Sequence, residues 1–378
     1  MRGHIRKRGS TWSVVVDVGY DENGKRIRKW FGGHKTKKDA EAFLAQKIAE
    51  IESGSYVSTP KQKFGEYMRE WMQDKRSTLR EDTFRSYSWL VNGHIIPKLG
   101  NVELAKLTPK HIQDCYRKMQ QGDKALSNRS VQFAHAIIRQ ALDRAVKWGW
   151  LARNVADAVD PPRVERREYK IWTAEQALQF LESAKSEDSR YWIGFFLAIM
   201  TGMRQGEILA LRWKDVDFTN QVAIVNGTLK WIDGQPLIKE PKTEKSRRAV
   251  ALSTETVNAL RKHKAKQTKE RLKMGAEYQD HDLVIARPNG YYMHPKTFDD
   301  AWYRALKKSG LPRIRFHDLR HTHASLMLLQ GVHPKIVSER LGHSTITITM
   351  DTYSHLVPGL QREVAQQFDD VLFKRVQK

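Results

Sequence analysis

The apolar positions of this chain change period along its length. Near the N-terminus, Trp12-Ser13-Val14-Val15-Val16-Asp17-Val18 is β-branched and strand-like. Arg26-Ile27-Arg28-Lys29-Trp30-Phe31 returns as a second strand with basic residues on alternate positions, after a turn at Asp21-Glu22-Asn23-Gly24. Thr36 then caps a helix whose apolar stripe is Ala40, Phe43, Leu44, Ile48 and Ile51, closed by Gly54-Ser55. Beyond the polar linker Ser58 to Lys63, the period becomes helical. Phe64, Tyr67, Met68, Trp71 and Met72 share one face, as do Ile112, Cys115, Tyr116 and Met119 behind the Thr108-Pro109 cap. The segment from Ser127 buries Val131, Ala134, Ile137, Ile138, Ala141, Leu142 and Val146 and carries Arg129, Arg139, Arg144 and Lys147 on its other faces.

After the linker Pro161 to Glu168 the pattern is mixed. Thr173-Ala174-Glu175-Gln176 is a capping box. Tyr191 to Thr201 reads as a buried helix ended by Gly202. Gln221–Asn226, Thr228–Ile232 and Arg247–Leu252 read as strands, with turns at Gly227 and Asp233-Gly234. The remainder is mainly helical. The pattern therefore predicts a multidomain chain with a small β-sheet-plus-helix module at residues 1–57, an all-α domain at 58–160 and a mixed, mainly α, α/β domain at 170–378.

Composition narrows what such a chain does. With 378 residues, 40% of them hydrophobic, two or three packed domains are affordable. Lys and Arg total 66 against 43 Asp and Glu, a net charge of +23. That excess points to a polyanion, with nucleic acid first. No apolar run approaches the roughly 18–20 residues of a spanning helix, and the basic N-terminus lacks the apolar segment of a secretion signal. The single cysteine, Cys115, excludes an intrachain disulfide and a thiolate metal cluster. The expected setting is the cytoplasm, on nucleic acid.

The candidate chemistry is spread over the C-terminal half: Thr201-Gly202-Met203-Arg204-Gln205-Gly206-Glu207, His317-Asp318-Leu319-Arg320-His321-Thr322-His323, Leu341-Gly342-His343, and Tyr353. Two arginines, two histidines and a tyrosine suit a phosphodiester. Guanidinium forks onto phosphate oxygens, imidazole exchanges protons near neutral pH, and a tyrosine hydroxyl can attack phosphorus. Arg204 follows a glycine turn between two helices, a rigid place for a charge. His317 and Arg320, three apart, share a helical face. Taken alone, Arg204 reads as a surface arginine paired with Glu207; the His317–Arg320 pair turns it toward a phosphate site. His317 and His321, four apart, also fit a metal pair, but the metalloprotease pattern needs glutamate after the first histidine and this chain has Asp318. His323, His333 and His355 are read as structural or surface histidines.

As an ensemble, Thr-Gly-x-Arg204-x-x-Glu207, His317-x-Leu-Arg320-His-Thr-x-Ala, Leu-Gly-His343-Ser and Tyr353 ten residues later resemble the tyrosine recombinases of the phage integrase family. The match spans roughly residues 170–356. The family also has a lysine on a β-hairpin. Pro241-Lys242-Thr243-x-x-Ser246-x-Arg248 matches that element, making Lys242 the candidate with Lys239 and Lys245 as competitors. The helical domain resembles the family's core-site-binding domain. Residues 1–57 resemble the three-stranded arm-binding domain of mobile-element integrases.

The resemblance implies cleavage and rejoining of DNA through a 3′-phosphotyrosyl bond at Tyr353, without ATP, metal or other cofactor. Arg204, Arg320 and His343 would hold the phosphate, His317 would take the tyrosine proton, Lys242 would protonate the leaving 5′ oxygen, and Glu207 would orient Arg204. Arg26, Arg28, Lys29, Arg129 and Arg139 are the candidate DNA contacts. The implied partners are double-stranded attachment sites of core and arm type, three further copies in a tetramer, an excisionase and a DNA-bending accessory protein. An apolar stripe in the tail, Leu360, Val364, Phe368, Val371 and Leu372, would pack on its own domain or on a neighbouring copy. Two other readings stay open: an inactive DNA-binding regulator of the same fold, and a metal-dependent nuclease, which the lack of a carboxylate cluster disfavours.

Overall fold

A computed structural model describes residues 3–20, 24–52, 60–165, 169–185, 190–240 and 247–353, together with 365, 366, 368, 369, 372 and 373. The chain divides into two compact units, Met1–Arg166 and Arg167–Lys378.

The first unit holds two separate apolar clusters. Strands β1 (Gly3–Arg8), β2 (Thr11–Tyr20) and β3 (Arg26–His34) form an antiparallel sheet in that order, and helix α1 (Lys37–Glu52) lies against it. Val14, Val16 and Ala40 are buried between sheet and helix, with Phe43, Leu44 and Ile51 packed around them. Thr36 caps α1 by accepting from the Asp39 N–H at 3.1 Å. β1, with Ile5 as its only large apolar residue, is not announced by its own sequence; pairing along β2 from Gly3 to Arg8 makes it a strand.

The second cluster is helical: α2 (Phe64–Arg76), α3 (Glu81–Leu90), a π-turn at Val91–Ile95, α4 (Ile96–Leu99), α5 (Pro109–Met119) and α6 (Asn128–Lys147). The apolar faces of α2 and α5 are buried as their periodicity predicts. On α6 the buried set is Val131, Ala134, Ile137, Ile138, Ala141, Leu142 and Ala145, so the small Ala145 takes the inward place expected of Val146. Thr108 and Ser127 cap α5 and α6 through the N–H groups of His111 and Ser130.

The second unit begins with α7 (Ala174–Lys185), whose capping box is made reciprocally by Thr173 and Gln176 at 3.1 and 3.3 Å. Helices α8 (Trp192–Thr201) and α9 (Gln205–Ala210) follow. Strands β4 (Val216–Asp217), β5 (Val222–Val225), β6 (Thr228–Ile232), β7 (Gln235–Lys239) and β8 (Arg248–Ala251) then form a β4-β5-β8 sheet and a separate β6–β7 hairpin, all antiparallel. Asp233 and Gly234 both take positive φ, 49° and 79°, as a two-residue hairpin turn requires. Helices α10 (Thr254–Met274), α11 (Pro295–Ser309), α12 (Asp318–Leu329), α13 (Pro334–Leu341) and α14 (Ile346–Tyr353) complete it. Its core is aromatic: Trp172, Phe180, Phe195, Phe298, Trp302 and Phe316 meet edge-on or tilted. Above that core, α8, α12 and α13 bring two glycine turns to one place.

Candidate active site

The two turns follow α8 and α13. Gly202 and Gly342 end these helices in the left-handed conformation, φ 64° and 67°. A Cβ on Gly202 would lie 2.6 Å from Leu341 and 2.8 Å from His323, and one on Gly342 would lie 2.9 Å from the Arg248 guanidinium. Only glycine fits either position. Their carbonyls, together with Leu341's, are the acceptors around which the site is assembled.

Arg320, on the first turn of α12, is 3% exposed and donates to Gly202 O at 2.7 Å and Leu341 O at 2.5 Å. Arg204 precedes α9. Its Nη1 donates to Glu207 at 2.8 Å and its Nη2 reaches Gly342 O at 3.4 Å, while its side chain keeps 40% exposure. Glu207, 6% exposed, also accepts the Arg204 backbone N–H at 2.9 Å and a two-pronged contact from Arg248 at 3.1 and 2.7 Å. Burial alone would raise the Glu207 carboxyl, but the Arg248 hydrogen bonds and the charges of Arg248 and Arg204 outweigh it and hold the pKa at about 2. Burial, then the Arg204 charge, pushes Arg320 below the usual arginine value; a guanidinium stays charged at neutral pH regardless.

The nucleophile candidate sits on α14. Tyr353 is 2% exposed and packs among Ala324, Leu328, Val337 and Leu341. Its hydroxyl lies 2.7 Å from His321 Nδ1. Tyr169 stacks on the His321 ring, centroids 3.9 Å apart at 29°, and His317 meets the same ring edge-on at 5.5 Å. Burial lifts the Tyr353 phenol above its ordinary range, against the pull of Arg320. Burial and the neighbouring His317 lower His321 to about 4. His343 Nδ1 is 2.8 Å from the Thr349 hydroxyl, and burial with the charges of Arg320 and Arg204 lowers it to about 3. The bulk around His317 and the charges of Arg320 and Arg204 lower it too.

The structure thus brings together Arg204, Glu207, His317, Arg320, His343 and Tyr353. Lys242 and Lys245 lie outside the described residues, while Lys239 closes β7. Of the tail stripe, Phe368 and Leu372 are exposed; Leu360, Val364 and Val371 lie outside the described residues, as do the Asp21-Glu22-Asn23 turn, Gly54-Ser55 and His355. Arg28 and Arg26 of β3 share Asp17 across the sheet at 3.0 and 3.7 Å, both more than half exposed. Lys29 faces Val16 in the same register. Arg129 is exposed on the first turn of α6, and Arg139 pairs with Asp157 at 2.6 Å. His323 is structural: it links Ile199 O to the Arg340 guanidinium.

Three contributors escaped the sequence reading. Arg248 enters through strand alternation, since Arg248 and Val250 are the buried residues of β8. His321, adjacent to Arg320 and read from the sequence only as a possible metal partner of His317, hydrogen-bonds the tyrosine hydroxyl. Tyr169 precedes α7 with no local signal of its contact. Among the described residues, no group of three or more His, Cys, Asp or Glu side chains is arranged to hold a metal, and no helix is long and apolar enough to cross a membrane.

Guanidinium groups fixed at helix turns beside a buried, histidine-bound tyrosine define a protein built for phosphoryl transfer through tyrosine. The chain belongs to the phage integrase family of tyrosine recombinases, a class of site-specific recombinases, whose family profile matches residues 170–358. Residues 63–120 match the SAM-like N-terminal domain of phage integrases and residues 4–51 an arm DNA-binding domain. The chain is 29% identical over 388 residues to a XerC-like tyrosine recombinase of Caldanaerobacter subterraneus subsp. tengcongensis, covering 97% of this chain and 98% of that protein. It is 28% identical over 366 residues to the ICEBs1 integrase of Bacillus subtilis, covering 96% and 97%. In fold it is similar to the Tn1549 transposon integrase in complex with a circular intermediate DNA, with TM-score 0.70, 20% identity and coverage of 81% of this chain and 99% of that one. It is also similar to a lambda integrase tetramer bound to a Holliday junction, with TM-score 0.57, 19% identity and coverage of 93% and 94%.

Proposed function

We propose that this integrase cuts and rejoins duplex DNA at attachment sites through a 3′-phosphotyrosyl bond at Tyr353, integrating and excising a mobile element. The observation that carries this reading is the seating of Tyr353: buried, hydrogen-bonded to a histidine, and close enough to Arg320 to feel its charge. Arg204 and Arg320 hold the non-bridging oxygens as charge builds on them. Their fixed positions mean that little reorganisation is needed at that moment. Glu207 orients Arg204. His343 donates a further hydrogen bond through Nε2–H, in the tautomer whose Nδ1 accepts from the Thr349 hydroxyl 2.8 Å away. A phenol with a pKa of about 10 needs a proton acceptor, and His317 and His321 are the histidines beside it. Lys242 protonates the departing 5′ oxygen. The covalent bond conserves the energy of the phosphodiester, so a 5′-hydroxyl from a partner strand reverses the step.

The N-terminal sheet and the helical domain bring this chemistry to chosen arm and core sites, with Arg26, Arg28, Lys29, Arg129 and Arg139 contacting phosphates. The similarity to integrases solved with DNA and as a tetramer on a Holliday junction supports four copies acting on two duplexes. The setting is the host cytoplasm, with an excisionase and a DNA-bending protein setting direction. The test is a nicked duplex carrying the attachment site mapped from the element's ends, incubated in EDTA and resolved under denaturing conditions. A covalent protein–DNA adduct that disappears in Tyr353→Phe is expected. A wild-type chain that binds this duplex and forms no adduct sinks the proposal.

A further inference from the structure

Tyr353 is 2% exposed, so solvent does not compete for its hydroxyl proton. The atom within reach is Nδ1 of His321, 2.7 Å away. The imidazole is held in plane by Tyr169, whose ring stacks at 3.9 Å, and from the side by His317, edge-on at 5.5 Å. His317 is therefore one ring removed from the hydroxyl. It is also exposed, whereas His321 is half-buried. We propose that His321, rather than His317, is the base that takes the Tyr353 proton, with Tyr169 fixing the plane of its ring. The proposal rests on Tyr353 being the nucleophile.

The step balances. The Oη–H proton passes to Nδ1, and the Oη electron pair forms the bond to phosphorus. The bond from phosphorus to the 5′ oxygen breaks, and that oxygen leaves as a hydroxyl with a proton from the lysine. The resting state suits this. Enclosure and neighbouring positive groups keep His321 neutral, and the tautomer with its hydrogen on Nε2 is the one in which Nδ1 accepts from the tyrosine hydroxyl. A phosphate entering between Arg204 and Arg320 cancels their charge. That raises the basicity of His321 when the proton must move. In the reverse step the imidazolium returns the proton to the leaving phenolate.

The experiment measures single-turnover adduct formation on the nicked duplex, at saturating protein, for wild type, Tyr353→Phe, His321→Ala, His321→Asn and His317→Ala. The expected result is a loss of about a hundredfold or more for both His321 variants, in the range of general-base catalysis, with DNA binding retained. His317→Ala should lose much less. Asparagine can accept the hydroxyl hydrogen bond but cannot carry its proton, so it separates proton transfer from mere docking. It also serves if the alanine variant fails to fold. A second arm replaces the bridging 5′ oxygen by sulfur, which leaves without a proton. This should rescue Lys242→Ala and leave the His321 variants slow. His321→Asn within about threefold of wild type overturns the proposal, as does rescue of the His321 variants by sulfur or a larger loss in His317→Ala. An adduct that persists in Tyr353→Phe would instead remove the nucleophile on which the proposal stands.

Discussion

The two sides of the site are built in opposite ways. On the arginine side, Arg320, Glu207 and Arg248 are 3%, 6% and 9% exposed and tied to one another or to main-chain carbonyls at the ends of α8 and α13. On the tyrosine side, α14 buries only Thr349 and Tyr353, and leaves Ile346, Ile348 and Met350 exposed. The Tyr353 hydroxyl meets His321 and the His343 ring meets Thr349, side chain to side chain, with no main-chain carbonyl among the described residues anchoring either as Gly202 and Leu341 anchor Arg320. The contrast suits the proposed chemistry. Charges that stabilise a phosphorane work best when fixed beforehand, whereas a nucleophile must advance onto phosphorus, form a bond and later leave it.

If the arginine side is over-determined, cutting its innermost link should cost the most. Arg248→Met leaves the Glu207 carboxylate buried with only Arg204 beside it. Removing one partner of a buried ion pair typically costs about 3–5 kcal/mol, and that loss is expected in urea unfolding at pH 7. Its acid dependence should change as well. The Glu207 pKa of about 2 lies below the ordinary carboxylate value, so its stabilisation is present above that ordinary value and is lost as pH falls through about 2. In Arg248→Met the carboxyl loses the partner that lowers it most, so less stability should be lost across that acid range than in wild type. An unfolding midpoint equal to wild type would show that the side is not built around this pair.

Arg320→Lys should come next. Lysine keeps the charge but cannot reach Gly202 O and Leu341 O together with a phosphate oxygen. Adduct formation should fall about 10²–10³-fold, the usual cost of removing one pre-organised donor. Retention of most activity in the lysine variant would mean that charge, not geometry, matters here.

What the sequence disclosed follows the same division. Helix faces with a clear period, on α2 and α5, are legible because each residue's neighbours lie three or four positions away. So are the caps at Thr36, Thr108 and Thr173, and Arg204 beside its glycine turn. Arg248 and His321 are not, because their partners lie 41 and 32 residues away. No local period encodes such contacts. β1 and β7 were likewise invisible, since pairing along β2 and β6 makes them strands. Pro236 in β7 argues against a strand until its place in a two-stranded hairpin is known.

Acid should separate the two sides again. Burial, with nearby positive groups, lowers His321 and His323 to about 4 and His343 to about 3. An unfolded histidine titrates near 6.5. As pH falls below that value the unfolded chain takes up protons first, so stability declines from about pH 6.5 toward 4, by at most about 1.4 kcal/mol per pH unit for each histidine. His343→Gln should flatten this slope by one proton. A melting temperature that does not change between pH 7 and 5 would show that these rings are not held neutral.

The smallest expected effect tests how lightly the tyrosine side is held. Thr349 is fully buried, and its hydroxyl is the contact on His343 Nδ1. Thr349→Val keeps the shape and deletes that contact. Nδ1 then loses its partner, and the neutral ring can change tautomer or turn over. An ordinary hydrogen bond contributes about 0.5–1.5 kcal/mol net, so adduct formation should slow by about three- to tenfold. Unfolding should shift by no more than about 1–3 kcal/mol, the range for one unsatisfied buried group. A loss as large as that of Arg320→Lys would place His343 among the rigidly built parts and erase the contrast between the two sides. Unchanged kinetics would mean that the His343 ring is oriented by its surroundings and not by this hydroxyl.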